Sequence, residues 1–282
     1  SGSMIVPLCD CGLDDETRKF INRWLDATKS TLLFSKGNIL VEGIAEAIVV
    51  PKLAQIYLKR MCSAKKCKIS IINMNGIYFT RFMQLYNGYK LNIPSKGEKE
   101  SKTTYAERIK IFMKREGSYE PSEYTKVSSI PQRCVALTDN DPPKDSDLPQ
   151  KGEHLKGENP FLYYKDQSAA MTNNCRVFVN SKTFEYDLAI ESHHNAKIML
   201  ETLLSEISSK IRQDKIKEYI DMINSDTVSD DAQMSYFILT QIESSEIGKG
   251  LFAQLLSDAI DDEFDIPLYI IEAIDFMLGI EK

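Results

Sequence analysis

The chain lacks any run of about 18 apolar residues, so nothing in it reads as a membrane-spanning helix. Its start, Ser1-Gly2-Ser3-Met4, has no basic stretch followed by an apolar one. It therefore reads as a cloning scar, not a secretion signal, and implies a piece of something longer. No G-x4-G-K-[ST] loop occurs, which excludes a Walker-type ATP site, and no G-x-S-x-G elbow occurs, which removes the usual serine nucleophile. Histidine is scarce, with three in 282 residues, and the adjacent His193-His194 reads as a solvated helix start. The six cysteines form C-x-C (Cys9, Cys11), C-x4-C (Cys62, Cys67) and the isolated Cys134 and Cys175. None has the C-x2-C spacing of a zinc site, so they read as reduced cytosolic thiols. With only 13 Gly and 10 Pro, collagen-like and wholly disordered chains are excluded.

What is present is alternation. Residues 15–35 read as one helix, with Phe20, Ile21, Trp24 and Leu25 at helical spacing. An apolar run, Asn38–Val41, then ends at Glu42-Gly43 and leads into a helical pattern over Ala45–Met61. A second run, Lys68–Asn73, ends near Gly76 and precedes a helix over Phe79–Tyr86. A third, Cys134–Thr138, ends at Asp139-Asn140-Asp141, and a fourth, Cys175–Val179, leads to Thr183-Phe184-Glu185. Strands alternating with helices predict an α/β fold with a parallel sheet, whose site lies at the carboxyl ends of the strands. Residues 95–130 interrupt the pattern as a polar, basic insertion with one helix-like stretch, Tyr105–Arg115. Residues 142–160 read as a long proline-rich loop. From about 191 the chain reads as all helix, over Ala196–Ile211, Asp214–Asn224, Asp231–Ser244, Lys249–Ile260 and Pro267–Leu278. The expected units are 1–29 (scar and leading helix), 30–190 (the α/β unit with its insertion) and 191–282 (the helical unit).

Charge is unevenly spread. The net charge of −6 speaks against a generic basic coat for nucleic acid. Residues 89–133 nevertheless hold ten Lys/Arg against six Glu, and this segment is a candidate contact for a phosphate backbone. Residues 213–282 hold four Lys against sixteen Asp/Glu, and Lys249, in Gly248-Lys249-Gly250, is the only Lys or Arg between Glu218 and Glu281. A lone cation with flanking glycines suits contact with a phosphate. Glu42 closes the first strand and Glu46 sits in the next helical turn. Asp139 and Asp141, two apart, would share one side of an extended backbone. In Thr183-Phe184-Glu185 the same period aims a hydroxyl and a carboxylate together while Phe184 enters the core, and Asp187 repeats it. Carboxylates gathered this way suit a hard divalent cation such as Mg²⁺. Tyr78, Tyr86 and Tyr89 read as packing or surface aromatics.

These motifs resemble the topoisomerase–primase (TOPRIM) domain, and more narrowly the C-terminal nuclease region of the overcoming-lysogenisation-defect (OLD) family. The resemblance runs from Leu33–Gly43 with Glu46, through Asn73-Met74-Asn75-Gly76, Leu137–Asp141 and Thr183–Ala189, to Gly248–Ala253 and Ile266–Ile270. It implies a TOPRIM core followed by a helical domain, and a DNA endonuclease dependent on Mg²⁺ or Mn²⁺, with two ions. It implies Glu42, Glu46, Asp139, Asp141, Thr183 and Glu185 as metal ligands, and Lys249, Glu42 and Asp139 as catalytic. An N-terminal ATPase that binds ATP, a helicase-type partner, homo-oligomerisation through that ATPase, a bacterial or archaeal cytoplasm, no membrane, and phage defence are further implications. The rival readings are a primase or topoisomerase fragment, and a non-catalytic DNA-binding or assembly module.

Overall fold

A computed structural model describes residues 6–27, 31–61, 69–76, 79–113, 120–159, 162, 174–244 and 247–280. Its centre is a four-stranded, all-parallel sheet. β1 (Gly37–Val41) lies between β2 (Ile69–Asn73) and β5 (Arg133–Thr138), and β6 (Cys175–Val179) lies outside β5, giving the order β2-β1-β5-β6. The chain leaves β1 toward one edge to form β2, then returns to the other side of β1 to form β5. The carboxyl ends of β1 and β5 therefore flank the point where the winding reverses, which opens a crevice in sheets of this kind.

Period-two alternation divides the apolar strand residues between two layers. Ile39, Val41, Val135 and Leu137 face one core with α3 (Ile44–Arg60) and the C-terminal helices α7 (His193–Glu206), α10 (Gly248–Ala259) and α11 (Leu268–Leu278). Leu40, Ile72, Cys134, Ala136, Cys175 and Val177 face the other with α1 (Asp15–Ala27) and α4 (Phe79–Asn87). The helices after residue 190 thus complete the core of the sheet: Phe276 of α11 lies against Phe178 of β6, with ring centroids 6.3 Å apart. The remaining C-terminal helices are α6 (Phe184–Ile190), α8 (Lys210–Asn224) and α9 (Asp231–Ile242).

Several elements depart from the sequence reading. The helix expected over 15–35 is two: α1 ends at Ala27 and a single turn, α2 (Thr31–Phe34), follows. The helix expected over Ala196–Ile211 starts earlier, because the Ser192 side chain caps it by accepting from the Asn195 N–H, and ends at Glu206 where Ile207 turns extended. Buried Ile207 keeps the apolar pattern running across that break. The basic insertion holds α5 (Lys102–Met113), and an unforeseen antiparallel ribbon pairs β3 (Tyr89–Leu91), just before it, with β4 (Tyr124–Lys126), within it. Its two ends are tied by the Val127 N–H to the Gly88 carbonyl and the Ile130 N–H to the Leu85 carbonyl, just before β5 begins. The ribbon therefore roots at the amino edge of the sheet, opposite the carboxyl ends of the strands. Cys9, Cys11, Cys134 and Cys175 are free thiols, while Cys62, Cys67 and Tyr78 lie outside the described residues. Among the described residues no helix is long and apolar enough to cross a membrane.

One buried polar network pins the sheet to its surroundings. Asn38, fully buried in β1, donates to the Leu32 carbonyl and the Tyr86 hydroxyl oxygen, each at 3.0 Å, and accepts from Ser35 Oγ at 2.7 Å. Tyr86 in turn donates to Leu32 at 2.6 Å. Asn38→Ala strands these buried partners, so it should cost about 1–3 kcal/mol. Urea unfolding read by circular dichroism measures this, and a loss under about 0.5 kcal/mol would show that the network is not structural.

Candidate functional site

The carboxyl edge of the sheet gathers acidic side chains from separate elements. β1 hands over to α3 through Glu42-Gly43, so Glu42 leaves the strand at the crevice while Glu46 lies in the first turn of α3, nine-tenths buried. Gly43 leaves room for this carboxylate, since a Cβ on it would stand 3.2 Å from Glu46 Oε2. β5 ends at Thr138, and its hydroxyl donates across the crevice to Glu42 Oε1. The Asp139 N–H donates to the same oxygen at 3.1 Å. The end of β1 and the end of β5 are thus bonded through one carboxylate oxygen, leaving Oε2 free of these bonds.

Asp139 is held in the same manner. Its Oδ1 accepts from Asn180 Nδ2 and from the Phe184 N–H, the latter at 3.0 Å. Thr183 is not the strand end expected from period two. It is the N-cap of α6, where its Oγ1 accepts from the Tyr186 N–H at 3.4 Å. The following helix buries both Phe184 and Glu185, as its short turn carries the carboxylate inward. Asp187 does not join the cluster as a repeat of that pattern. It closes the preceding turn by accepting from the Ser181 N–H (2.8 Å), Ser181 Oγ (2.9 Å) and the Lys182 N–H (3.0 Å). Burial pushes Asp187 up to about 6 against the pull of those donors.

Asp141 also departs from expectation. Its backbone is left-handed (φ 47°), so Asp139 and Asp141 do not share one side of an extended strand. The chain turns because buried Asn140 is drawn inward. Asn140 N–H donates to Asn180 Oδ1 (3.0 Å), and its Nδ2 donates to the carbonyls of Leu155 (2.8 Å) and Ser181 (3.2 Å). Aspartate tolerates the left-handed region better than most residues. Asp141 is exposed, yet it stays within electrostatic reach of Glu42, Lys182 and Lys249.

Lys249 arrives from the other end of the chain. Gly248 adopts a left-handed φ of 74°, which glycine alone takes without cost, and starts α10. α10 then packs along α3, with Gly250 beside Ile44. Lys249 Nζ donates to Glu185 Oε2 at 3.1 Å and lies 3.5 Å from Glu243 Oε1. Burial works to lower its pKa, but Glu185, Asp139 and Glu243 outweigh it and raise the value, so the ammonium is charged at neutral pH.

The acids pay in the opposite direction. Burial first, and then the charges of Glu185 and Glu42, push Glu46 up to about 7. Burial raises Asp139 well above the carboxylate range, reinforced by Glu42, Glu46 and Glu185. Burial also raises Glu42, against the donors Thr138, Asp139 and Asn159. The structure therefore brings Glu42, Glu46, Asp139 and Glu185 within electrostatic reach of one another, with Lys249 against Glu185, Asp141 at the rim and Thr183 engaged as a cap. Among the described residues no three His, Cys, Asp or Glu side chains are already gathered as a chelating set. Their chemistry nonetheless fits a hard cation: the donors are all oxygen, and several like charges share a buried edge with one lysine to oppose them.

Sequence reasoning missed the amides that hold this edge. Asn180 follows β6 as Asp139 follows β5, and that shared position at a strand end was a usable signal. Asn159 Nδ2 donates to Thr138 Oγ1 at 2.9 Å and to the Asp139 carbonyl at 2.7 Å, but it lies deep in an irregular loop with no pattern around it. His193 and His194 sit apart at the start of α7, on Asp231 of α9 (2.8 Å) and on Asp261 in the turn after α10 (3.0 Å).

Residues 33–96 match the family model of the overcoming lysogenization defect (OLD) protein-like TOPRIM domain, a stretch that holds β1, α3 and β2 with Glu42 and Glu46. That stretch of the chain is therefore OLD-like TOPRIM in sequence. Among solved structures, it is similar to the C-terminal region of the Burkholderia pseudomallei OLD protein, at 21% identity and a TM-score of 0.49, over 87% of this chain and 98% of that one. It is also similar to the C-terminal region of the Xanthomonas campestris pv. campestris OLD protein, at 21% identity and a TM-score of 0.46, over 87% and 95%. No curated protein matches it.

Replacing Asp139 with its neutral isostere tests the mutual repulsion. Asp139→Asn keeps an oxygen for Asn180 and Phe184 and removes the buried charge that Asp139 takes on as pH rises. In EDTA its Tm should therefore gain on the wild type with rising pH, by about 2–4 °C for each kcal/mol relieved. Calorimetry reads this, and a Tm difference that does not grow with pH would mean that the acids do not strain one another.

Proposed function

We propose that this chain is a divalent-metal-dependent DNA endonuclease, the nuclease part of an ATPase–nuclease protein. The observation that carries the reading is the grouping of Glu42, Glu46, Asp139 and Glu185 at the sheet's winding reversal, with Lys249 bound to Glu185. Residues 30–190 are the TOPRIM unit in this reading, and residues 191–282 are a helical unit whose task is to deliver Lys249.

Glu42, Glu46, Asp139, Asp141 and Glu185 would hold Mg²⁺ or Mn²⁺, with Thr183 able to contribute its hydroxyl oxygen. The ions, two in this reading, would supply a polarised phosphate and an activated water. The chain's own residues do the rest. Thr138 and Asn159 fix Glu42, and Asn180 and the Phe184 N–H fix Asp139, so each carboxylate presents one oxygen in a set direction. Lys249 holds a full positive charge beside Glu185 and can turn to an oxygen of a phosphodiester, where it would stabilise charge that grows as the bond breaks. Glu243 gives the ammonium a second resting partner at the rim. Binding of ATP by an attached ATPase domain, oligomerisation through that domain, a helicase-type partner, a cytoplasmic setting and a role against phage belong to the same proposal and rest on the family resemblance alone.

Cleavage of supercoiled plasmid tests it. The chain should nick or linearise DNA with Mg²⁺ or Mn²⁺ and not with EDTA, and Asp139→Ala and Lys249→Ala should each slow cutting at least about a hundredfold. Mg²⁺ should also raise the wild-type Tm, as any ligand of the folded state does. Absence of both cutting and metal-induced stabilisation would overturn the reading in favour of a binding or assembly module.

A further inference from the structure

Beside the acidic cluster lies a cleft of about 780 Å³, walled by the 142–159 loop on one side and α9 on the other. It is continuous with the cluster, because Asp141 and Thr183 line its near wall and Glu243, the rim partner of Lys249, lines its far one. Its lining carries both signs: Lys144 and Lys182 stand among Asp141, Glu158 and Glu243, while α9 contributes Tyr236 and buried Leu239.

Two features fit a nucleotide. Tyr236 is a large aromatic left 42% exposed, on a helix whose Met234, Ile238 and Ile242 are spent on the core. Lys182 Nζ stands over its ring at 5.8 Å from the centroid, the outer limit of a cation–π contact, so the ammonium is free to turn to an anion. The backbone that carries Lys182 is fixed on both sides. Its N–H donates to Asp187 Oδ2 at 3.0 Å and its carbonyl accepts from the Asp141 N–H at 3.2 Å. An exposed ring next to a cation on a rigid support is the usual platform for an unstacked base and its phosphate. The volume is within the range of small-ligand sites and accommodates one nucleotide.

We propose that this cleft seats one unstacked nucleotide of the strand being cut, its base against Tyr236 and its phosphate on Lys182 and Lys144. The proposal rests on the nuclease reading for its place beside the scissile bond, and it predicts a preference for frayed or single-stranded DNA at that position.

The test is fluorescence anisotropy with labelled oligo-dT and with a hairpin duplex of matched length, in Ca²⁺. Tyr236→Ala should weaken oligo-dT binding about fivefold to a hundredfold and leave the hairpin within about twofold. Tyr236→Phe, which keeps the ring, should bind as wild type. Lys182→Gln should weaken oligo-dT binding and reduce the slope of its salt dependence by about one phosphate contact. Equal affinity of Tyr236→Ala and wild type for oligo-dT, an equal loss on both probes, or no oligo-dT binding by the wild type would each overturn it. Plasmid cutting by the wild type separates the two readings. Cutting without a Tyr236 effect sinks the subsite alone. A Tyr236 effect with neither cutting nor metal-induced stabilisation sinks the nuclease and leaves a single-strand binding cleft.

Discussion

The structure is organised around a cost: several carboxylates are buried at one edge of a sheet, with Lys249 set against them. Burial disfavours each charge, and each charge disfavours the others. Such an arrangement persists only if the surroundings over-determine it. Here the over-determination is visible in the bonds from Thr138, Asn159, Asn180 and the Phe184 N–H, which fix Glu42 and Asp139 before any ligand arrives. The strand order explains where this happens. Only between β1 and β5 do consecutive windings leave in opposite directions, so only there do two strand ends open to a shared crevice.

The sheet and the C-terminal helices are bound by the same requirement. Lys249 can reach Glu185 because α10 lies along α3, and α10 lies there because Phe252, Ala253 and Leu256 share one core with Val49, Val50 and Leu53. Ordinary apolar packing thereby sets the position of the opposing charge. The polar details at the edge refine a geometry that the hydrophobic layers have already chosen.

Much of this was legible in the sequence. The four strands of the sheet were expected as four apolar runs, and Glu42 and Asp139 stand where two of those runs end. What was illegible has identifiable causes. β3 and β4 have three residues each, too few for a period to register. Thr183 and Glu185 fit an alternating strand as well as a helix cap, and only the Tyr186 N–H bond decides between them. Asp141 leaves the line of β5 because a neighbouring asparagine is pulled into the interior, an effect with no local pattern. Asn159 and Asn180 are neutral, so no charge count points to them, although they orient the charged groups.

The distance along the chain between Lys249 and the acids it faces has a consequence for the order of assembly. A chain made from its amino end presents Glu42 and Glu46 first, then Asp139, then Glu185, and the balancing ammonium last. Until the final helices dock, the acidic edge repels itself and its core face is uncovered. An incomplete chain is therefore both unfinished as a fold and unbalanced as a site. The same closing event that seals the hydrophobic layer switches on the electrostatics, so no partial product carries one without the other.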